Sequence, residues 1–219
     1  MIIPERYNGP PTSANGGYAC GLLAGELGGE AEVTLRRPPP LGVALDVVEA
    51  GDGVELRHGD AVVAEASPAQ LEVEVPAPVS LEKAEEASKG YAGFRHHAYP
   101  TCFTCGPERD DGLGVFAGPV AGRDVVASPW TPAEDVRPEI VWAALDCPSG
   151  WAVDDFQREG VLLGRMAARV GALPAPGKPH VVAGWPVALD GRKRHAASAL
   201  WTAEGVLLAC ARSTWIVPG

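Results

Sequence analysis

Residues 13–27 read Ser-Ala-Asn-Gly-Gly-Tyr-Ala-Cys-Gly-Leu-Leu-Ala-Gly-Glu-Leu and decide how the first half of the chain folds. Ser13 and Asn15 are residue types that cap helices, so the stretch predicts a helix. The helix is apolar nearly all round and rich in glycine. Both features are typical of a helix that is closely wrapped by a sheet.

Short strands are predicted after this helix, because β-branched or alternating apolar residues are bounded by Gly, Asp and Pro turns. His58-Gly59-Asp60 is typical of a hairpin turn. The predicted strands cover residues 31–37, 41–50, 53–57, 60–66 and 70–75.

The second half repeats this order. A second apolar helix is predicted from residue 139 to about 149, with Asp135 as its cap and Pro138 in its first turn. Turns are predicted at Asp190-Gly191 and Glu204-Gly205. The predicted strands cover residues 113–116, 124–128, 162–170, 180–189, 194–202 and 205–217.

A helix followed by antiparallel strands, occurring twice, predicts an α+β fold with two modules. Between them lies a Pro-, Glu- and Ala-rich stretch that has the composition of a linker. The predicted boundaries are an N-terminal module at 1–78, a linker at 79–95 and a C-terminal module at 96–219.

Composition excludes several classes of function. The net charge of −10 argues against a nucleic-acid binder, which would normally carry a basic face. We find no apolar run long enough to span a membrane and no signal peptide, so we expect a cytoplasmic protein. Five cysteines, an odd number without a secretory signal, predict reduced thiols.

Four segments resemble thioesterase-like proteins of the hotdog superfamily. They are Asn15-Gly16-Gly17-Tyr18, the strand sequence at 33–38, Cys102-Phe103-Thr104-Cys105-Gly106 followed by Gly112-Leu113, and the helix sequence at 141–146. The resemblance covers most of the chain and implies a double hotdog, two helix-wrapped antiparallel sheets fused in one chain. It also implies an acyl-CoA or acyl-carrier thioester as substrate, and hotdog proteins usually associate into oligomers.

The resemblance implies a chemistry as well. In hotdog thioesterases, backbone N–H groups at a helix start polarise the thioester carbonyl, and a carboxylate acts as nucleophile or as general base. Gly16 and Gly17 suit the first task, because glycine lets a ligand oxygen approach the N-terminus of a helix closely. Asn15 would add a side-chain donor. The alternative is that the glycines only permit tight packing of the helix on the sheet.

Each half of the chain holds what the other lacks. In single hotdogs whose helix starts His-Gly-Gly, the acid lies nine residues after the histidine, and the same count from Asn15 reaches Ala24. The count from Arg137 reaches Asp146, but Pro138 at that helix start has no N–H. We therefore predict one composite site, with Gly17 from the first half and Asp146 from the second. The alternative is a structural aspartate.

Two weaker assignments concern the surroundings of this site. Ser149 lies about one helical turn after Asp146 and is a candidate to orient the carboxylate, or else it caps the end of the helix. Arg192-Lys193-Arg194 is the dense basic run of an acidic chain and is a candidate to bind the phosphates of CoA, or else it is a solvated turn. Arg36-Arg37 is a similar, weaker candidate.

Cys102-x-x-Cys105 beside His96-His97 raises the question of a zinc site. No second cysteine pair lies nearby in the sequence, so we expect no metal and no cofactor.

The function predicted from sequence is therefore acyl-CoA thioesterase-like hydrolysis. The main alternative is a non-catalytic protein that binds acyl-CoA or an acyl chain. Hotdog hydratases pair an Asp with a His five residues later, and that position after Asp146 is Trp151, which disfavours hydration chemistry.

Overall fold

The computed structural model describes residues 1–133, 136–153 and 161–217. These ranges form three α-helices and ten β-strands. The helices are α1 (Gly16–Gly25), α2 (Leu81–Lys89) and α3 (Pro138–Trp151). The strands are β1 (Ala31–Leu35), β2 (Asp46–Ala50), β3 (Gly53–His58), β4 (Ala61–Pro68), β5 (Gly118–Pro119), β6 (Val126–Trp130), β7 (Leu162–Val170), β8 (His180–Asp190), β9 (Lys193–Thr202) and β10 (Leu207–Ile216).

All ten strands belong to one antiparallel sheet, in the order β2-β3-β4-β1-β7-β10-β9-β8-β6-β5. The first four come from the first half of the chain and the other six from the second half. The two sets are joined where β1 pairs with β7, with Ala31 opposite Ala168 and Thr34 opposite Arg165. The predicted α+β class is confirmed.

Helices α1 and α3 pack against each other on one face of this sheet, where the larger of two apolar clusters lies. Every residue of α3 from Glu139 to Trp151 is buried. Glycines on α1 make the close approach possible. A Cβ at Gly21 would lie 2.6 Å from Glu139 Cα, and a Cβ at Gly17 would lie 2.6 Å from the Trp142 carbonyl oxygen.

Helix α2 covers the opposite face of the sheet. Ala84 and Ala87 of α2 belong to a second apolar cluster together with Val181 and Ala183 of β8, whereas Val182 belongs to the first cluster. Alternate residues of a strand point to opposite faces, so the two clusters lie on opposite sides of the sheet. The predicted linker at 79–95 thus contains a packed helix, and the boundaries at 1–78 and 96–219 stay predictions.

Most predicted strands are found, with ends that shift by a few residues, and β7 has the predicted bounds. Gly59, Gly191 and Gly205 lie in the predicted hairpin turns with φ of 58°, 56° and 86°, a conformation that glycine adopts without strain. The predicted strand at 41–50 begins only at Asp46. The preceding residues bond to the N-terminal segment instead, where Gly42 N–H donates to Ile3 O and Leu45 N–H donates to Met1 O.

Two predicted strands are wrong. Residues 70–75 form no ladder, although Leu71 is buried and Val73 and Val75 pack on the second apolar cluster. Residues 113–116 also form no strand, because Leu113 N–H and Val115 N–H donate to the carbonyls of Phe103 and Thr104. In both segments the alternation reflects the burial of alternate apolar side chains and not pairing with a neighbouring strand.

The helix caps were predicted in part. Asn15 is the N-cap of α1, and its side chain accepts a hydrogen bond from Tyr18 N–H; Ser13 does not take this role. The N-cap position of α3 is Arg137, which makes no side-chain cap, and Asp135 lies outside the described residues. Pro138 occupies the first turn as predicted. No helix in the described ranges is long and apolar enough to cross a membrane.

Substituting Gly184 by Ala tests the contact between α3 and the sheet. A Cβ at Gly184 of β8 would collide with the backbone carbonyl of Pro148, which cannot move without shifting the helix. We expect Gly184→Ala to lower the free energy of unfolding by about 1–3 kcal/mol in urea denaturation.

Gly25→Ala is the matched control, because a Cβ there has no atom within 4 Å and Gly25 is helical. It should leave stability unchanged or raise it by up to about 1 kcal/mol. Equal unfolding midpoints for the two variants would contradict the packing described for α3.

Candidate active site

Asp146 lies where the two central helices meet. It belongs to the middle of α3, and 1% of its surface is exposed. Its Oδ2 accepts a hydrogen bond of 2.9 Å from Gly17 N–H at the start of α1. The structure therefore brings together the acid of the second half and the helix start of the first half, although 129 residues separate them in sequence.

This contact depends on the local chemistry of both helices. The first N–H groups of a helix have no partner within the helix and carry partial positive charge, which suits a carboxylate. A Cβ at Gly17 would lie 3.1 Å from the Asp146 carboxyl carbon, so any larger residue would push the acid away.

Burial dominates the electrostatics of Asp146. Removal from water raises the pKa of its carboxyl group to about 7, and the Gly17 N–H bond opposes this rise. Its other oxygen, Oδ1, is buried and has no hydrogen-bond partner among the described residues. Asp146 is therefore a buried carboxyl group with a raised pKa that is hydrogen-bonded through one of its two oxygens.

The N–H groups at the start of α1 differ in their partners. Gly17 N–H donates to Asp146, Tyr18 N–H to Asn15 Oδ1 and Ala19 N–H to Asn15 O. Within the described residues, Gly16 N–H has no acceptor. Gly17 N–H is occupied by Asp146 in this structure, which leaves the N–H of Gly16; that the two glycines polarise a carbonyl stays a prediction.

The polar side chains of Asn15 and Ser149 lie beside other groups of the protein, and their roles toward a substrate stay predictions. The Asn15 amide Nδ2 lies 3.9 Å from both Cys102 Sγ and Cys147 Sγ. The Ser149 hydroxyl donates to the backbone carbonyl of Asp146 at 2.7 Å and accepts from Trp215 Nε1 at 2.9 Å. In this geometry the Ser149 hydroxyl binds the helix backbone and not the carboxylate.

A cavity of about 240 Å³ opens beside this arrangement. Asn15, Gly16 and Asp146 line its polar end. Most of its other walls are apolar: Ala14, Leu35, Val161, Leu163, Trp215 and Ile216. Such a cavity can hold an apolar group with one reactive polar end.

The basic residues that line this cavity are Arg36 and Arg37, at the end of β1. Arg36 also pairs with Glu65 at 2.6 Å. The predicted phosphate-binding run, Arg192 to Arg194, is not part of the cavity wall; it lies at the turn between β8 and β9, where Arg194 Nη1 donates to Gly191 O. The signal for the cavity arginines was present in the sequence, as two basic residues directly after the strand that follows the first helix.

A second cavity, of about 640 Å³, lies at the other ends of the two helices. Ala24 and Pro138 line it, at the positions equivalent to Asp146 and to the glycine pair. It therefore has neither the acid nor the first of the two backbone N–H donors at these positions.

Three thiols, all of them free, also meet beside Asp146. Cys102, Cys105 and Cys147 are buried, and their sulfur atoms all lie within 4.8 Å of one another. The neighbouring Cys105 and Cys147 thiols hold the pKa of Cys102 well below its usual range. Sequence spacing indicated only Cys102 and Cys105, because Cys147 lies far along the chain, in α3.

Comparisons with known proteins place this fold. No family model and no curated protein matches the sequence. A hot dog fold protein of unknown function from Alicyclobacillus acidocaldarius aligns with a TM-score of 0.65 at 10% identity, over 99% of this chain and 91% of its own. A candidate thioesterase from Novosphingobium aromaticivorans DSM 12444 aligns with a TM-score of 0.62 at 13% identity, over 100% and 94%. The chain is a double hotdog.

An acyl-CoA thioesterase II from Mycobacterium marinum shares this fold, with a TM-score of 0.55 at 10% identity, over 94% of this chain and 91% of its own. Identities this low show the fold alone. In the double hotdog described here, the contact between Gly17 and Asp146 lies between the central helices, and its role as a site stays a prediction.

Replacing Asn15 tests the helix start that faces Asp146. Asn15→Ala leaves the buried Tyr18 N–H without its acceptor, so we expect the free energy of unfolding to fall by about 1–2 kcal/mol in chemical denaturation. Asn15→Ser keeps an oxygen acceptor at the cap and should cost clearly less. Equal losses for the two variants would show that the cap is not what stabilises this helix start.

Proposed function

We propose that this double hotdog hydrolyses a thioester of the acyl-CoA type, with Asp146 as the general base. One observation carries the proposal. The buried Asp146 carboxyl group is held through Oδ2 by Gly17 N–H, Oδ1 has no hydrogen-bond partner among the described residues, and Asp146 lines a mostly apolar cavity. A buried carboxyl group is costly unless it is paired or functional, so a half-satisfied one marks a candidate site.

The residues suggest the following reaction. Asp146 Oδ1 accepts a proton from a water molecule as the water oxygen bonds to the thioester carbonyl carbon. The carbonyl oxygen becomes an oxyanion, which Gly16 N–H stabilises at the positive end of α1. The C–S bond then breaks, and the leaving thiolate takes the proton from Asp146. The products are a carboxylic acid and a free thiol.

The two proposed groups have known magnitudes of effect. A well-placed general base contributes about 10²- to 10⁴-fold to the rate. One backbone donor in an oxyanion hole contributes about 3 kcal/mol to transition-state stabilisation. Gly17 N–H does not contact the reacting atoms in this proposal. It positions the Asp146 carboxyl group through Oδ2 and leaves Oδ1 for the water.

The cavity walls support the choice of substrate class. Leu35, Leu163 and Trp215 offer an apolar surface to an acyl group. Arg36 and Arg37 offer guanidinium groups, which recognise phosphates well. The shared fold with an acyl-CoA thioesterase II agrees with this choice.

Asp146→Asn tests the proposed base. An asparagine oxygen can still accept from Gly17 N–H, so the fold should persist, but the amide cannot take a proton from water. In a thiol-release assay over acyl-CoAs from acetyl to long-chain and aromatic, we expect the rate to fall by about 10²-fold or more.

Glu139→Gln is the matched control for this substitution. Glu139 is another buried acid on α3, but it lies outside the cavity wall and pairs with Arg137 at 3.2 Å. Its activity should stay near that of the wild type. If the wild type and the Asp146→Asn variant both bind acyl-CoA tightly and neither releases thiol, the hydrolase proposal is overturned and a binding protein is left.

Arg36→Ala/Arg37→Ala tests phosphate recognition. We expect the KM for acyl-CoA to rise about tenfold or more, because charge-assisted hydrogen bonds to phosphate are lost. The KM for an acyl-N-acetylcysteamine thioester, which has no phosphates, should not change.

The Arg192→Ala/Lys193→Ala/Arg194→Ala variant removes the other basic run and serves as the comparison. Its KM for acyl-CoA should stay within about twofold of the wild-type value, because these side chains lie outside the cavity wall. A large rise in this variant alone would assign phosphate recognition to the hairpin turn, as the sequence suggested.

A further inference from the structure

Three cysteines from two separate segments converge beside the cavity that Asp146 lines. Cys102 and Cys105 lie in the loop before β5, and Cys147 lies in the middle of α3. Cys102 Sγ is 3.8 Å from Cys147 Sγ, and all three sulfur atoms lie within 4.8 Å of one another. Thiolates that share one tetrahedral zinc ion at about 2.3 Å stand about 3.8 Å apart, so the spacing suits a common metal ion.

The loop holds its two thiols in a fixed turn. Gly106 N–H donates to Cys102 O at 2.9 Å, and a Cβ at Gly106 would lie 2.5 Å from Pro100 O and 2.6 Å from Cys102 O. Only glycine fits there. Thr104 ties the same turn to α3, since its hydroxyl donates to Ala143 O at 3.0 Å. The third thiol is therefore brought to the pair by hydrogen bonding as well as by packing.

Each sulfur atom has an N–H group directed at it. The Asn15 amide Nδ2 lies 3.9 Å from both Cys102 Sγ and Cys147 Sγ, and its orientation is fixed because Asn15 Oδ1 accepts from Tyr18 N–H.

His97 supplies the donor for the third sulfur. Tyr99 N–H donates to His97 Nδ1 at 2.9 Å, which leaves the proton of the neutral ring on Nε2, 3.4 Å from Cys105 Sγ. A neutral thiol is a weak acceptor and has little need of such donors, whereas a metal-bound thiolate is stabilised by them.

We propose that Cys102, Cys105 and Cys147 bind one thiophilic metal ion, Zn²⁺ in the first instance. Three thiolates are ligands that soft or borderline metals prefer, and zinc accepts three protein ligands with a small molecule in the fourth position. His97 and Asn15 then act as outer donors on the sulfurs. This proposal departs from the expectation of no metal, because the sequence did not show that Cys147 completes the set.

The site has a path for the ion and a structural consequence. Cys102 and Cys147 line the cavity, so an ion can reach them from solvent. A bound ion would cross-link the loop of residues 102–105 to α3 at the residue next to Asp146. The loop and the acid-bearing helix would then be held together by metal–sulfur bonds.

The test uses the full chain, purified with a phosphine reductant and without chelator. Elemental analysis measures zinc and copper per chain, and metal-free protein is then titrated with Co²⁺ to detect thiolate-to-cobalt charge-transfer absorption. We expect about one zinc per chain and a cobalt spectrum typical of thiolate ligation, displaced by added Zn²⁺.

Cys102→Ser, Cys105→Ser and Cys147→Ser should each lose the zinc and weaken the cobalt absorption. Cys210→Ser is the matched control, because Cys210 is equally buried but belongs to the apolar cluster on the other face of the sheet. The cobalt titration uses the wild-type protein, so it still tests the proposal if a serine variant fails to fold.

Three results would overturn the proposal. The first is a cobalt titration of reduced wild-type protein without charge-transfer absorption. The second is zinc that persists in all three serine variants. The third is thiol reactivity that is the same with and without added Zn²⁺, which would show three ordinary buried thiols.

Discussion

The contact between Gly17 N–H and the Asp146 carboxyl group is the constraint on which the rest of the site depends. It requires that α1 and α3 lie close enough for a backbone donor to reach an acid on the neighbouring helix, and a side chain at position 17 would prevent this. The same closeness is seen at Gly21 against α3 and at Gly184 between α3 and the sheet. The glycines thus serve packing and site geometry together.

The protein is built from two similar halves, but the two ends of its helix pair differ. The acid, the helix start and the thiols gather at one end of the helix pair, while the cavity at the other end presents Ala24 and Pro138. One half supplies a donor without an acid, and the other supplies an acid without a donor. Fusion in one chain allows such specialisation, because each half folds against a partner that is always present. The continuous sheet through β1 and β7 fixes the two halves in the required register.

The sequence predicted the fold well where the patterns were local. Helix composition, the turn glycines at 59, 191 and 205, and the long strands after residue 161 were all readable. The segments at 70–75 and 113–116 were misread, because alternation reports burial and not the presence of a neighbouring strand. The juxtaposition of Asp146 and Gly17 came from counting along both helices. Some contacts depend on tertiary packing, which no local pattern shows. These are the hydrogen bond from Gly17 N–H to Asp146, the bond from Ser149 to the Asp146 carbonyl, and the approach of Cys147 to Cys102.

We propose that one composite site, at the Asp146 end of the helix pair, does the chemistry. The most direct measurement is a crystal structure of the chain with a non-hydrolysable ketone analogue of the acyl-CoA that it cleaves fastest. We expect the ketone oxygen at Gly16 N–H, the ketone carbon within reach of a water on Asp146 Oδ1, and the acyl group along Leu35, Leu163 and Trp215. An analogue bound instead in the cavity at Ala24 and Pro138 would contradict it.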